Sequence, residues 1–186
     1  MKTKKVSAQA KSKEKSKTSA NGWPNKRNVL YRPHRMKYVR RIDAPRGCVF
    51  CAAHSQKQGF DSLCVYKSEY SMIILNKYPY NSGHLLVLPI SHQGDLLKLS
   101  DIEFADLNQT LKKALAAIQK IYTPNGVNIG LNLGAAAGAG IPEHVHYHLI
   151  PRWAGDLNFF PIIAETKVVV ETLEQTYDRF MEYFKA

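Results

Sequence analysis

No run of apolar residues in this 186-residue chain approaches the ~18–20 that a membrane-spanning helix needs. The basic N-terminus has no apolar stretch of the kind a secretory signal requires, so the chain is expected to be soluble and cytoplasmic, with no membrane partner. Cysteine is scarce: Cys48, Cys51 and Cys64 are too few for a disulfide scaffold. No Gly-Lys-Ser/Thr is present, which excludes a P-loop, and no segment repeats. Beyond the N-terminal segment, charge of one sign is lacking as well. The net charge is +11, yet residues 1–46 hold 15 Lys and Arg against 2 acids, and residues 47–186 hold 11 against 13. The basicity belongs to the N-terminal segment, which weakens the case for the remainder as a general nucleic-acid binder.

Residues 1–28 are rich in Lys, Ser and Ala and have almost nothing to bury. Such a segment cannot offset the entropy of ordering and is expected to be a disordered tail. Without interleaved aromatics it forms no stacking platform. It serves solubility or, alternatively, contacts polyanions such as RNA; nucleic acid has no other expected point of entry. Residues 29–46 stay basic but gain Met36, Tyr38 and Val39, and are expected to pack as an arm. Residues 47–186 are expected to form one domain.

Within that domain Ser62–Lys67 and Ser71–Asn76 are short apolar runs suited to a hairpin, and Leu85–Ile90 is a dense apolar strand. Ser100 followed by Glu103 forms a capping box. Behind it Phe104, Leu107, Leu111, Leu115, Ile118 and Tyr122 recur at helical spacing, and Pro124-Asn125-Gly126 ends the helix. Val127–Leu133 and Val145–Ile150 read as further strands, and Val170, Leu173, Tyr177, Phe180 and Phe184 mark a C-terminal helix. The pattern predicts an α+β fold: an antiparallel sheet of about five strands, one long central helix and a C-terminal helix.

The chemistry gathers near residue 146. His144, His146 and His148 alternate with Val145, Tyr147 and Leu149, so a strand there places three imidazoles on one face. Each imidazole has two nitrogens needing partners, and leaving a buried polar group unpaired costs roughly 1–3 kcal/mol. A merely decorative face is therefore a poor explanation, and the cluster reads as a site. A three-histidine metal site is one possibility. Strand residues two apart, however, are separated by ~6.5–7 Å, which makes a row rather than a convergent set. A row suits a polyphosphate, and imidazole can attack phosphorus to form a phosphoramidate that a second acceptor opens. Just upstream, Gly134-Ala-Ala-Ala-Gly-Ala-Gly140 has no bulky side chains, so its backbone can approach an anion as a phosphate cradle. Separately, Cys48-x-x-Cys51 suggests metal binding or redox chemistry.

These motifs together resemble the histidine-triad (HIT) superfamily. His144-Val-His-Tyr-His148-Leu-Ile matches its alternating triad, and Leu75-Asn76-Lys-Tyr-Pro-Tyr-Asn-Ser-Gly83-His84-Leu-Leu-Val resembles its nucleotide-binding strand and loop. Gly130-Leu-Asn132-Leu-Gly134, Pro151-Arg-Trp153, Gly155-Asp156-Leu-Asn158-Phe, Pro33-His34-Arg35-Met36 and Gly47-Cys48-Val-Phe-Cys51 resemble the diadenosine tetraphosphate phosphorylase/hydrolase branch. The likeness runs over about residues 31–185.

The resemblance implies that His146 is the nucleophile and that His148 contacts the phosphate and stabilises charge. It places Asn76 and His84 along the nucleoside pocket, Asn132 near the ribose–phosphate junction, and Gly138, Ala139 and Gly140 against the α-phosphate. It implies a structural zinc held by Cys48, Cys51, His92 and His144, and pairing into homodimers through sheets and helices. The implied substrate is a nucleotide or dinucleoside polyphosphate, with phosphate or water as acceptor. A different class remains open: a nucleotide- or RNA-binding interaction module whose triad holds phosphate without turnover. Many relatives carry Gly-Gln-Ser/Thr before the triad, whereas this chain has Gly138-Ala-Gly140-Ile-Pro, which removes a side-chain contact to the leaving group.

Overall fold

Alternation of buried side chains organises the domain around one sheet. The computed structural model describes residues 47–57, 59–157 and 170–185; the tail over 1–28, the arm over 29–46, and Asn158 and Phe159 lie outside the described residues. Five strands are present among the described residues: β1 (Cys64–Lys67), β2 (Ser71–Leu75), β3 (Leu85–Pro89), β4 (Gly126–Leu131) and β5 (Tyr147–Arg152). They form one antiparallel sheet in the order β1-β2-β3-β5-β4. Among the described residues three α-helices accompany it: α1 (Val49–Ser55), α2 (Asp101–Tyr122) and α3 (Leu173–Lys185). This is the expected α+β architecture. Among the described residues no helix is long and apolar enough to cross a membrane.

The pleat sends alternate residues to two different covers. Ile73, Leu75, Leu85, Val87 and Leu149 pack with Leu107, Ala114, Ala117 and Ile118 of α2 and with Tyr177 and Phe180 of α3. The opposite face carries Cys64, Met72, Ile74, Leu86 and Leu88, roofed by Phe50 of α1. Register assigns His148 to this second face, because it pairs with Leu86 on β3 and with Gly130 on β4. His148 thus shares its face of the sheet with the cluster that Phe50 covers.

Ser100 caps α2 as expected, its hydroxyl accepting from the Glu103 N–H while the Glu103 carboxylate accepts from the Ser100 N–H at 2.9 Å. The stripe that α2 buries is rotated from the expected one. Its centre is Leu107, Thr110, Ala114, Ala117 and Ile118, while Phe104 is exposed and Leu111 and Leu115 flank the core. Two alanines let the helix backbone approach the sheet, a contact that hydrophobicity alone understates. Strand boundaries also move, β4 for example ending at Leu131 rather than Leu133. Ser62 lies in a 3₁₀ turn (Phe60–Ser62) rather than in β1, and β5 begins at Tyr147 rather than Val145. His144 and His146 therefore precede the strand, and only His148 of the triad lies within it.

Candidate active site and metal-ligand cluster

The residues before β5 are held by a neighbouring turn rather than by a sheet ladder. Val145 N–H donates to the Gln93 carbonyl at 2.8 Å, and Gly94 lies so close that an added Cβ would meet the Pro142 carbonyl oxygen at 2.4 Å and the Glu143 Cα at 3.1 Å. Only a residue without a side chain allows that approach. Gly94→Ala is accordingly expected to push the Pro142–His144 segment away, at about 1–3 kcal/mol for overpacking. Thermal denaturation checks it against Gly126→Ala, where nothing lies within 4 Å of the added Cβ. Equal melting temperatures for the two variants would mean that the segment yields freely.

The three triad histidines face three different partners. His144 is fully buried, and its Nε2–H donates to the Pro89 carbonyl at 2.9 Å. A carbonyl can only accept, so Nδ1 of the neutral ring is bare. That nitrogen lies 3.4 Å from Cys48 Sγ and 3.7 Å from Cys51 Sγ. His146, 6% exposed, directs its Nδ1–H to the carbonyl of His144 at 2.8 Å. By the same logic its Nε2 carries the lone pair. Burial holds both rings below the ordinary histidine range, against the opposing pull of the carbonyl each one binds, which favours the neutral form. Phe50 meets both rings edge-on, with centroids 5.3 Å from His144 and 4.9 Å from His146.

His148 turns to a fourth histidine. The Tyr80 N–H donates to His84 Nδ1 at 3.0 Å, which places the His84 proton on Nε2. His84 Nε2–H then donates to His148 Nδ1 at 3.0 Å, so the His148 proton sits on its own Nε2. The rings of His146 and His148 stand 5.0 Å apart. His84 is 1% exposed, and its side chain backs His148. Asn76 is brought to the same cluster, its Nδ2 within 3.3 Å of His84 Nδ1 and its Oδ1 accepting from the Tyr78 N–H. Gly83, at φ +72, sits where an added Cβ would strike the Tyr122 ring at 2.8 Å, so the approach to His84 requires glycine twice over.

The remaining expected ligand contacts fall on the loop after β4. Asn132 is half-buried, one step beyond the last ladder pair, Leu131 with Tyr147. The Gly/Ala loop winds into a 3₁₀ turn (Ala135–Ala137). Gly138 N–H donates to the Ala135 carbonyl and Ala139 N–H to the Gly134 carbonyl. Two of the three expected cradle amides are therefore spent inside the turn, because alanine favours a helical turn over an open nest. The Gly140 N–H makes no backbone bond among the described residues.

Cys48, Cys51, His92 and His144 come together from three chain segments, with their ligand atoms all within 4.8 Å of one another. Cys48 caps α1 and Cys51 lies in its first turn, while His92 follows β3. His92 Nδ1 lies 3.3 Å from Cys51 Sγ. A tetrahedral ion with metal–sulfur bonds of about 2.3 Å and metal–nitrogen bonds of about 2.0–2.1 Å separates its S and N ligands by roughly 3.5–3.6 Å. The observed sulfur–nitrogen distances of 3.3, 3.4 and 3.7 Å bracket that spacing. The set can hold a metal ion, and His144 already has the second hydrogen bond that orients a ligating imidazole. Residues that sequence reading left without a role are Phe50, Tyr80, Asn81, Gln93 and Gly94. Four of them act through a ring edge, a backbone group or close packing, and Asn81 through a side-chain amide whose partners are far away in the chain, none of which leaves a mark in a motif.

Comparison with known proteins agrees with this geometry. A family profile described as the HIT domain matches residues 57–155. A Mycobacterium tuberculosis protein named AP-4-A phosphorylase is 37% identical over 154 residues, covering 79% of each chain. A Schizosaccharomyces pombe protein named bis(5'-nucleosyl)-tetraphosphatase [asymmetrical] is 34% identical over 110 residues, covering 59% of this chain and 57% of that one. A crystal structure titled as a Zn-bound histidine triad family protein from Mycobacterium smegmatis superposes with a TM-score of 0.56 at 25% identity, over 75% of this chain and 96% of that chain.

Proposed function

The chain belongs to the HIT domain family, and on that premise we propose that it splits dinucleoside polyphosphates of the diadenosine tetraphosphate kind through a nucleotidyl–His146 intermediate. The observation that carries this reading is the fixed tautomer of His146. Its Nδ1–H is held by the His144 carbonyl, so the lone pair on Nε2 is the nucleophile and no prior deprotonation is needed. Nε2 attacks the α-phosphorus, the P–O bond to the leaving nucleoside polyphosphate breaks, and the electron pair departs with that oxygen. The proton on His148 Nε2 stabilises charge on the phosphoryl group. An acceptor then attacks phosphorus from the opposite side and returns the lone pair to His146.

The acceptor is read as inorganic phosphate, supported by the name of the relative that shares 79% of each chain. Incubation of the protein with diadenosine tetraphosphate, with and without phosphate, tests the reading. ADP beside ATP, formed only with phosphate, is the expected result. AMP beside ATP would make water the acceptor, and no turnover would favour the binding module. Asn76 and Asn132 are assigned to the nucleoside and ribose side, and Gly140 to the α-phosphate.

The metal is read as one structural zinc on Cys48, Cys51, His92 and His144. A Cys₂His₂ set leaves no open position for substrate, and the ion supplies a tie between α1, the turn after β3 and the segment before β5. A homodimer is proposed through the β4 side of the sheet. Among the described residues β4 is an edge strand, with Ile129 exposed on it and Leu133 beyond it, and an exposed apolar edge invites pairing. Light scattering on Ile129→Lys is expected to give a monomer from a dimeric wild type; a monomeric wild type would refute the assembly.

A further inference from the structure

The loop between β2 and β3 has its ends fixed by the sheet, but its middle is held from elsewhere. At the ends, the Asn76 N–H donates to the His84 carbonyl at 3.1 Å. In the middle, Asn81 is 5% exposed and reaches across to the end of β5. Its Nδ2 donates to the Pro151 carbonyl at 2.8 Å and to Asp156 Oδ2 at 3.1 Å. The Asp156 carboxylate also accepts from Arg152 Nε at 2.8 Å and from the Trp153 N–H at 3.3 Å. The amide has two hydrogens and two acceptors, so flipping it would set an oxygen against two oxygens. Asn81 is thereby locked, and its own carbonyl accepts the His84 N–H at 3.3 Å.

Tyr80 stands directly beside this lock, and its N–H, at 3.0 Å, is closer to His84 Nδ1 than the Asn76 amide is at 3.3 Å. We infer that Asn81 and Asp156 are positioning residues for nucleotidyl transfer, holding the loop so that the Tyr80 N–H orders the proton positions of His84 and then of His148. The inference rests on the reading of His148 as the phosphate contact. If the loop relaxes, His84 Nδ1 keeps only the longer contact from Asn76 Nδ2, which lies almost equally near both ring nitrogens (3.3 and 3.4 Å), and the ring can carry its proton on Nδ1. It then offers a bare Nε2 to His148, which must move its own proton to Nδ1. The bare His148 Nε2 would face the phosphoryl oxygens, and a hydrogen bond needed most in the transition state would become a repulsion. Such a loss appears in kcat rather than in KM.

The test uses the full-length, metal-loaded protein with Asn81→Ala and Asp156→Ala. Two readouts are taken: kcat and KM on diadenosine tetraphosphate, and ¹⁵N spectra of the histidine ring nitrogens. The expected result is a fall in kcat of roughly 10–100-fold, the usual cost of losing a group that orients a functional imidazole, with KM within about twofold. The His84 and His148 signals should move from the single Nε2–H tautomer towards a mixture, while the His146 Nδ1–H signal stays in place. Unchanged His84 and His148 signals would overturn the inference, as would a loss carried wholly by KM or by the folded fraction. Should Asn81→Ala fail to fold, Asp156→Ala decides, since it leaves the Asn81–Pro151 bond intact. A wild-type protein that does not turn over the dinucleotide would refute the proposed function, while the ring-nitrogen signals would still judge the positioning.

Discussion

His146→Asn is expected to bring turnover of diadenosine tetraphosphate down at least about a thousandfold while the protein stays folded. Removing a nucleophile eliminates the covalent route, and in enzymes of this type the loss greatly exceeds that from removing a binding contact. Asparagine is the informative replacement because His146 is more deeply packed than a site residue on an open strand face would be. Its ring is buried against Phe50, so His146→Ala would leave a cavity and mix a stability loss into the result. An asparagine amide can still donate to the His144 carbonyl and fills part of the space, but it has no nitrogen lone pair to attack phosphorus. Steady-state assay and thermal denaturation of the same sample check both halves. Activity near wild type, in protein free of contaminating enzyme, would move the chemistry off His146.

Cys48→Ser is expected to act in the opposite way, with loss of metal and a large fall in melting temperature but turnover in whatever fraction stays folded. Binding energy at a closed structural site is folding energy. Among the described residues, the Val145–Gln93 and His144–Pro89 hydrogen bonds link the end of β3 and the turn after it to the segment before β5, and α1 meets that segment through the Phe50 ring. A loss of about 3 kcal/mol, a fraction of what zinc supplies to small domains, corresponds to roughly 6–12 °C in a chain of this length. His144→Ala should share the phenotype and add the loss of a fully buried ring. Metal analysis of protein purified without a His tag, beside melting curves for wild type, Cys48→Ser and His144→Ala, measures this. Metal-free wild-type protein of undiminished stability would return His144 to a purely phosphate-side role.

Much of the fold was legible from periodicity. The capping box at Ser100 and Glu103, the five strands and both long helices follow from spacing that local physics imposes. What periodicity could not convey was which side of α2 meets the sheet. Ala114 and Ala117 are buried because they are small, not because they are the most hydrophobic residues available. The triad was visible as an alternation, yet alternation implied three equivalent side chains on one strand. Tertiary partners separate them instead: cysteines for His144, a backbone carbonyl for His146, and His84 for His148. The Gly/Ala loop illustrates a further limit. Absence of side chains permits an anion nest and a 3₁₀ turn equally, and hydrogen bonding within the loop selects the turn. The Asn81–Asp156 lock joins residues 75 apart in the chain, and no local pattern could have revealed it.

The claim that His146 forms a covalent bond to phosphorus is tested most directly by trapping the intermediate. The protein would be mixed with diadenosine tetraphosphate labelled at the α-phosphates, without inorganic phosphate, quenched in base within the first turnover, digested and mapped. Label is expected on the peptide that carries His146, stable to base and released by mild acid, and discharged when phosphate is added before the quench. Label on a serine or cysteine, or an active enzyme that never carries label at any quench time, would contradict it.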